Sequence, residues 1–252
     1  MKVALIAGLV AVLLVPSIAW CAPMGSPANN AGEENYAVTA EYETQNKKIG
    51  DEKSSSWRWL TRIAWGPTDN LDLYARIGAA NLKVDAMSGG TFNGDAGAAY
   101  GLGLRYARMV NTEHNLLFFG DFQYLGFTSK GEMRVDKYDD FSGSYTEIWS
   151  NKYWWGEYQL SFMMSWHRSI WIPYAGLGLT WIDGKVDRVR HVDTGGDPYF
   201  ADRGTDEFSE GVIPEFVFGM DFPLKGTARF SWELRYGGDD LSYFMGLSEL
   251  WQ

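Results

Sequence analysis

The sequence predicts an all-β fold, a closed antiparallel transmembrane β-barrel, and three observations carry that reading. Short runs of alternating apolar and polar residues recur from Glu34 to the end of the chain. Tryptophan and tyrosine mark both ends of the apolar faces, and charged residues collect on the opposite faces. A strand points successive side chains to opposite sides, so each run makes one greasy face and one polar face. Many such runs, each weak alone, are the pattern of a barrel that turns its apolar face to lipid.

Ten strands are expected, at 34–45, 57–66, 71–82, 98–110, 115–127, 153–167, 170–182, 211–222, 227–236 and 241–252; ten is preferred, with eight or twelve as the alternatives. In the first, Tyr36, Val38, Ala40 and Tyr42 oppose Thr39, Glu41, Glu43 and Gln45. The second sets Trp57, Trp59, Ile63 and Trp65 against Arg58 and Arg62. Asp72 and Arg76 mark the polar face of the third, Arg105 that of the fourth, and Asp121 with Gln123 that of the fifth. The sixth alternates Trp154, Tyr158, Leu160, Phe162, Met164 and Trp166 with Glu157 and Gln159. The seventh shows Trp171, Ala175, Leu177, Leu179 and Trp181 on one face and Gly176 and Gly178 on the other. Gly101 and Gly103 share the polar face of the fourth strand, where they leave room for long side chains from its neighbours. Glu215 and Asp221 define the polar face of the eighth. The ninth sets Phe230, Trp232, Leu234 and Tyr236 against Arg229, Glu233 and Arg235. The tenth ends Leu250-Trp251-Gln252 and carries Glu249 on the face of Leu247 and Trp251.

Connections alternate in length. Pro67–Asn70, Asn111–His114, Arg168–Ser169 and Pro223–Gly226 are short; 46–56, 83–97, 128–152 and 183–210 are long; Gly237–Asp240 is a short link on the long side. Short turns on the periplasmic side and long loops outside are the outer-membrane arrangement, with both chain ends periplasmic. Met133-Arg134-Val135 and Tyr145-Thr146-Glu147-Ile148 would extend the third long loop as a hairpin.

Amphipathic rings favour the headgroup level, so Trp57, Trp59, Trp65, Trp154, Trp166, Trp171, Trp181 and Trp232 are expected at the lipid interface. The step from Trp154 to Trp166, at ~3.3 Å per residue and a tilt near ~40°, covers roughly 30 Å, the height of an apolar band with its girdles. Arg58, Arg62, Arg76, Arg105, Asp121, Glu157, Glu215, Asp221, Arg229, Glu233 and Arg235 are costly in lipid and are expected to line the lumen. Hairpin geometry sets Asp221 beside Arg229, Glu215 beside Arg235 and Arg105 near Asp121, while Arg62, Arg76 and Arg105 would form a positive ladder. Two readings follow: paired ions fill a narrow barrel, or they form the charged eyelet of a small pore.

Residues 1–21 read as a secretory signal cleaved after Cys21, residues 22–33 as a flexible periplasmic lead-in, and 34–252 as the barrel domain. With Cys21 removed, disulfides, thiolate metal sites and cysteine nucleophiles are excluded. A mean hydropathy of −0.25 and the lack of a long apolar run exclude a helical membrane protein. A net charge of −10 without a basic stripe argues against nucleic acid.

No catalytic residue, metal site or cofactor is expected. His114 and His167 fall near periplasmic turns, and His191 stands in an outer loop with Asp193, Asp197, Asp202 and Asp206. A hydrolase at the extracellular rim is the competing enzyme reading. The acidic run through Glu207 and Glu210, like Asp136, Asp139 and Asp140, does not match an ordered calcium loop. It reads as solvated, or as bridged through cations to lipopolysaccharide.

The stretches Arg62-Ile-Ala-Trp-Gly-Pro-Thr-Asp-Asn-Leu-Asp-Leu-Tyr-Ala-Arg-Ile-Gly, Ala99-Tyr-Gly-Leu-Gly-Leu-Arg-Tyr and Pro173-Tyr-Ala-Gly-Leu-Gly-Leu-Thr-Trp give residues 34–252 a resemblance to small outer-membrane β-barrel proteins of Gram-negative bacteria, broadly the OmpA/OmpX-like superfamily. The resemblance implies residence in the outer membrane, in contact with its lipid and lipopolysaccharide, as a monomer. It also implies assembly by the outer-membrane insertion machinery, which reads a final strand ending in an aromatic residue; here Trp251 stands one place early. The expected role is structural or at the cell surface, with narrow passage of small solutes, against a charged-eyelet porin or a rim hydrolase.

Overall fold

The computed structural model describes residues 31–49, 52–85, 90–111, 115–139, 143–167, 170–195, 199–237 and 240–251. The signal segment 1–21, most of the lead-in, His114, Asp140, the Arg168–Ser169 turn and Asp197 lie outside the described residues. Twelve strands follow in order: β1 (Tyr36–Ile49), β2 (Glu52–Thr68), β3 (Leu71–Ala80), β4 (Lys83–Asp85), β5 (Thr91–Asn93), β6 (Gly97–Asn111), β7 (Leu116–Asp139), β8 (Gly143–Trp166), β9 (Ile172–Asp193), β10 (Tyr199–Pro223), β11 (Ala228–Gly237) and β12 (Asp240–Trp251).

Ten of them form a closed ring. The order β1-β12-β11-β10-β9-β8-β7-β6-β3-β2 returns to β1, and each neighbouring pair is antiparallel. The seam is well registered on both sides of β1: Thr39 faces Ser248 of β12 and Arg62 of β2. The small strands β4 and β5 are the tip of the β3–β6 hairpin. Arg58 faces Ala80 and Ser55 faces Lys83, so β4 carries the β3 pairing onward along β2. The ring thus has the ten strands read from the sequence.

Alternation sorts the side chains by face. Phe216 is 69 % exposed and Val217 beside it 2 %, because Phe216 looks out of the barrel and Val217 into it. Ile63, Leu73, Leu102, Phe162, Leu177 and Phe216 are among the apolar side chains exposed on the outer wall. Arg58, Arg76, Arg105 and Arg235 are fully enclosed. An exposed apolar belt around a charged interior inverts the soluble arrangement and fits a barrel solvated by lipid.

The strands are longer than expected where long loops were read. A spanning strand needs about 9–11 residues. β7 and β8 have 24 each, β9 has 22 and β10 has 25. The segments 128–152 and 183–210 are therefore mostly extended strand, paired from Thr128–Trp154 up to Asp139–Gly143 and from Ile182–Glu210 up to Val192–Tyr199. Much of 46–56 and 83–97 is strand as well. Beyond the belt neither face of the sheet meets lipid, so the contrast between apolar and polar positions fades and the sequence reads as loop.

The interior is filled in layers. Towards the long hairpins, Leu60, Leu82, Val84, Phe92, Trp155 and Ile182 belong to one apolar cluster. Towards the short turns, Ala107, Phe119, Met163, Tyr174 and Val217 form a second. Ala31, just ahead of β1, packs with Ala37, Ala64 and Tyr74, and its amide donates to Asp72 at 3.1 Å. The charged layer lies between these clusters.

Closure predicts a specific cross-link. Thr39→Cys with Ser248→Cys should form a disulfide on oxidation, because the two face each other across the β1–β12 seam. Thr39→Cys with Leu247→Cys should not, since Leu247 points to the other face. The gel mobility of the unreduced variants distinguishes the pairs; equal cross-linking of both would refute the register.

Candidate functional site

The candidate site is the charged layer of the lumen, built from alternate residues of β1, β2, β3, β6, β7, β8, β10 and β11. Its centre is Glu41 on β1. Arg62 approaches one Glu41 oxygen at 2.6 Å, and Arg76 approaches the other at 2.8 Å. Arg62 and Arg76 stand directly opposite each other in the β2–β3 register. Glu41 lies between two guanidinium groups that would otherwise repel. Arg76 also contacts Glu43 and donates to Gln123 Oε1 at 3.0 Å. Arg58 reaches Glu157 at 2.7 Å and Glu43 at 3.6 Å, and contacts Gln45.

Two outlying groups extend the layer. Towards the short turns, Arg105 pairs with Asp121 at 3.0 Å, and the Tyr74 hydroxyl donates to the same carboxylate at 2.6 Å. On the β10–β11 wall, Arg235 pairs with Glu215 at 3.1 Å and with Glu233 at 2.8 Å, while Tyr174 donates to Glu233 at 3.0 Å. Asp221 faces Ser231, and Arg229 faces Pro223, so these two are diagonal neighbours, the same offset as Glu215 and Arg235. Lys47, from the segment read as a loop, turns inward and contacts Glu215.

Neither sign of charge dominates. Six buried cations stand among eight buried carboxylates in the described residues, so no wall of one charge is presented to a passing ion. Arg62, Arg76 and Arg105 do not form an uninterrupted positive ladder, because Glu41 and Asp121 are interleaved with them. Such pairs repay their desolvation only when the remaining hydrogen-bonding capacity is used. Gln123 donates to Gln159 at 2.6 Å, Gln45 to Glu157 at 3.0 Å, Trp155 to Glu157 at 3.2 Å and Thr180 to Glu215 at 2.9 Å.

Several participants escape a reading that looks for charges. Tyr74 and Tyr174 are buried and lie opposite Gly103 and Gly219 in the neighbouring strands. A Cβ at either glycine would come within 2.2 Å of the facing tyrosine ring, so the ring occupies the space glycine vacates. Tyr74 shares the parity of Asp72 and Arg76, which is the signal that places it inside. Leu60 and Trp155 share the parity of Arg58 and Glu157, yet are apolar. Of the expected girdle tryptophans, Trp57, Trp59, Trp65, Trp154, Trp181 and Trp232 each stand between two buried residues, while Trp166 and Trp171 have one such neighbour each, Ser165 and Ile172, and Trp171 also follows exposed Ile170. Trp59 packs on Tyr42 at 4.4 Å, Trp181 stacks on Tyr158 at 5.3 Å, and Trp232 meets Phe218 edge-on at 5.7 Å.

At the far end of the long hairpins, His191 meets the edge of the Phe200 ring at 6.0 Å. The acids around it have local roles: Asp193 accepts from the Gly195 amide at 2.8 Å, Asp202 from the Arg203 amide at 2.7 Å, and Asp206 pairs with Arg188 at 3.0 Å. Among the described residues no cluster of three His, Cys, Asp or Glu side chains is arranged to hold a metal.

No protein-family model matches the chain, and no curated protein matches it. Its fold is similar to the translocator domain of the autotransporter NalP from Neisseria meningitidis, at 10% identity and a TM-score of 0.48 over 86% of this chain and 89% of that chain. It is also similar to the outer membrane protease OmpT from Escherichia coli, at 8% identity and 0.43 over 86% and 97%. A third is Ail, the attachment invasion locus protein of Yersinia pestis, at 10% and 0.38 over 87% and 99%. By its own closed ring and outward apolar belt, the chain has the fold of a small outer-membrane β-barrel.

Arg76→Met tests the central network. It leaves Glu41 and Glu43 short of a cation, and the cost of stranding a buried charge is about 3–5 kcal/mol. Equilibrium unfolding in urea from phospholipid vesicles should show that loss. A change below about 1 kcal/mol would mean that the pair is solvated as at a surface.

Proposed function

We propose that this protein is a monomeric outer-membrane barrel with a sealed lumen, and that its role is carried by the surface it presents outside the membrane. The observation that supports this reading is the filled interior. The Glu41, Arg62 and Arg76 group uses the section of a narrow barrel for internal pairing, and apolar clusters lie on both sides of it. A conducting eyelet needs charges that face water. Here Arg58, Arg76 and Arg235 are fully enclosed and engaged with carboxylates. The network therefore acts as a structural core of the barrel.

The part that reaches furthest from the belt is the sheet β7–β10. It exposes Tyr138, Tyr199 and Phe200 together with Asp202, Asp206 and Glu207. A tall, stiff sheet that mixes aromatic and acidic side chains suits contact with other surfaces. His191, edge-on to Phe200, takes its place in that surface as a packing residue.

Conductance is the test. The refolded protein, with folding checked by heat-modifiable gel mobility, should give no discrete single-channel steps in a planar bilayer. Discrete steps altered by Arg62→Ala or Arg105→Ala would replace this reading with a charged-eyelet pore.

A further inference from the structure

The inner face of the long hairpins carries a cavity of about 210 Å³, above the apolar cluster that closes the barrel. Phe92 and Tyr153 of that cluster line it, their rings 4.8 Å apart and tilted by 46°. Met133 and Trp149, directly opposite each other in the β7–β8 register, add a further apolar wall. Its polar groups come from Glu52 at the start of β2, and from Asn151 and Arg188, which face each other across β8–β9.

Asn151 is the informative residue. It is 6 % exposed, and its Oδ1 accepts no hydrogen bond among the described residues. On the β7 side it faces Gly131, which has no side chain to offer. A Cβ there would come within 2.6 Å of the Asn93 carbonyl oxygen, so the close approach of β5 holds that position at glycine. Nearly every buried polar atom in a folded protein is paired. An acceptor left open on a cavity wall marks where a donor from outside the chain belongs.

The groups around Asn151 are fixed before anything binds. Arg188 pairs with Asp206 at 3.0 Å, which occupies part of a fork of five N–H donors. The Trp149 indole donates to Glu147 at 3.3 Å, and Glu147 pairs with Arg190 at 3.1 Å. Binding to such a wall costs little side-chain ordering. Two charged residues line the cavity, Glu52 and Arg188, one of each sign. The wall thus offers carboxylate and amide acceptors, guanidinium donors and flat aromatic rings together. That set matches a neutral ring with hydroxyls at its edge and C–H groups on its face. Each hydroxyl both donates and accepts, and the C–H face packs on the electron-rich face of an aromatic ring.

We infer that this cavity binds one hexose ring of a saccharide presented outside the cell. A hydroxyl donates to Asn151 Oδ1, neighbouring hydroxyls bridge Glu52 and Arg188, and the ring face packs on the aromatic wall. The volume of about 210 Å³ is below the ~300–1,000 Å³ of sites for drug-sized ligands, so it takes a terminal ring and not a chain laid across it. The inference deepens the surface role proposed above and rests on the long hairpins lying outside the cell.

The test uses the full chain refolded in a zwitterionic detergent that has no sugar headgroup. The probes are the methyl glycosides of glucose, galactose, mannose and N-acetylglucosamine, with methylammonium and inorganic phosphate as ionic controls. Calorimetry should show binding of at least one glycoside, and neither ion should displace it. An oligosaccharide ending in that sugar should compete, and one carrying it only internally should not. Asn151→Ala should weaken binding about fivefold, the worth of one hydrogen bond, and Trp149→Ala should abolish it. Arg134→Gln, exposed on the outer face of β7, should bind as wild type. Heat-modifiable mobility reports folding of each variant, and the wild-type measurements need no variant. A folded wild type that binds no glycoside, displacement by either ion, equal competition by both oligosaccharides, or undiminished binding in folded Asn151→Ala would each overturn the proposal. The placement is read separately. Tyr138→Cys should react with a membrane-impermeant maleimide on intact cells; failure to react would defeat the outward placement of the hairpins, independently of the detergent result.

Discussion

Every feature of this barrel follows from the lack of water in the bilayer core. A backbone N–H or C=O left unpaired in hydrocarbon costs several kcal/mol, so a sheet that crosses must close on itself. β1 meets this demand by pairing on both sides, with β12 and with β2. Closure with ten strands makes a narrow tube. Its lumen must then be filled by the side chains that alternation sends inward. The chain fills it with long charged side chains in the middle and apolar ones at either end, so the backbone constraint becomes an electrostatic one.

That electrostatic problem is solved by sharing. Glu41 serves Arg62 and Arg76, Glu157 serves Arg58 and the Trp155 indole, and Glu215 serves Arg235, Lys47 and the Thr180 hydroxyl. Each carboxylate has several lone pairs, and a shared oxygen holds two strands at once. The contacts bridge strands that are not neighbours in the ring, such as β2 with β8 and β1 with β10. The pairs thereby brace the section of the tube against flattening. The tyrosine–glycine pairs Tyr74–Gly103 and Tyr174–Gly219 add local thickness where two long side chains would not fit.

Legibility in the sequence followed the contrast between environments. Across the belt one face meets lipid and the other a polar lumen. Strand positions and the inward placement of Arg58, Glu157 and Arg235 are readable there from period two alone. Lys47 and the upper halves of β7–β10 were not, because beyond the belt both faces admit polar residues and the period carries no hydrophobic signal. Inward Leu60, Phe127 and Trp155 were missed for the converse reason. They sit on the polar parity, and an apolar residue there looks like noise until β4 and β5 bring Leu82, Val84 and Phe92 against them. Asp221 and Arg229, expected side by side, are diagonal neighbours, since the turn Pro223–Gly226 sets Pro223 opposite Arg229, and Glu215 and Arg235 share that offset. Register at a turn depends on its backbone geometry, which composition does not specify.

The uneven heights of the hairpins create a last constraint. β11 and β12 stop at Gly237 and Asp240, while β10 runs on towards Tyr199. Among the described residues, the edge of β10 beyond Phe216 has no backbone partner on the β11 side. A free edge of that length invites pairing with another chain. The sequence opposes it with Pro214, a register shift between Glu210 and Ile213, and the charges of Asp202, Arg203, Asp206, Glu207 and Glu210. Lys47 meanwhile crosses behind the short hairpin to Glu215 and ties β1 to β10 where the wall steps down. The same residues that make 183–210 look like a solvated loop are those a tall, uncovered edge strand requires. Composition without period is ambiguous between the two, and the pairing of Val192 with Tyr199 decides for the strand.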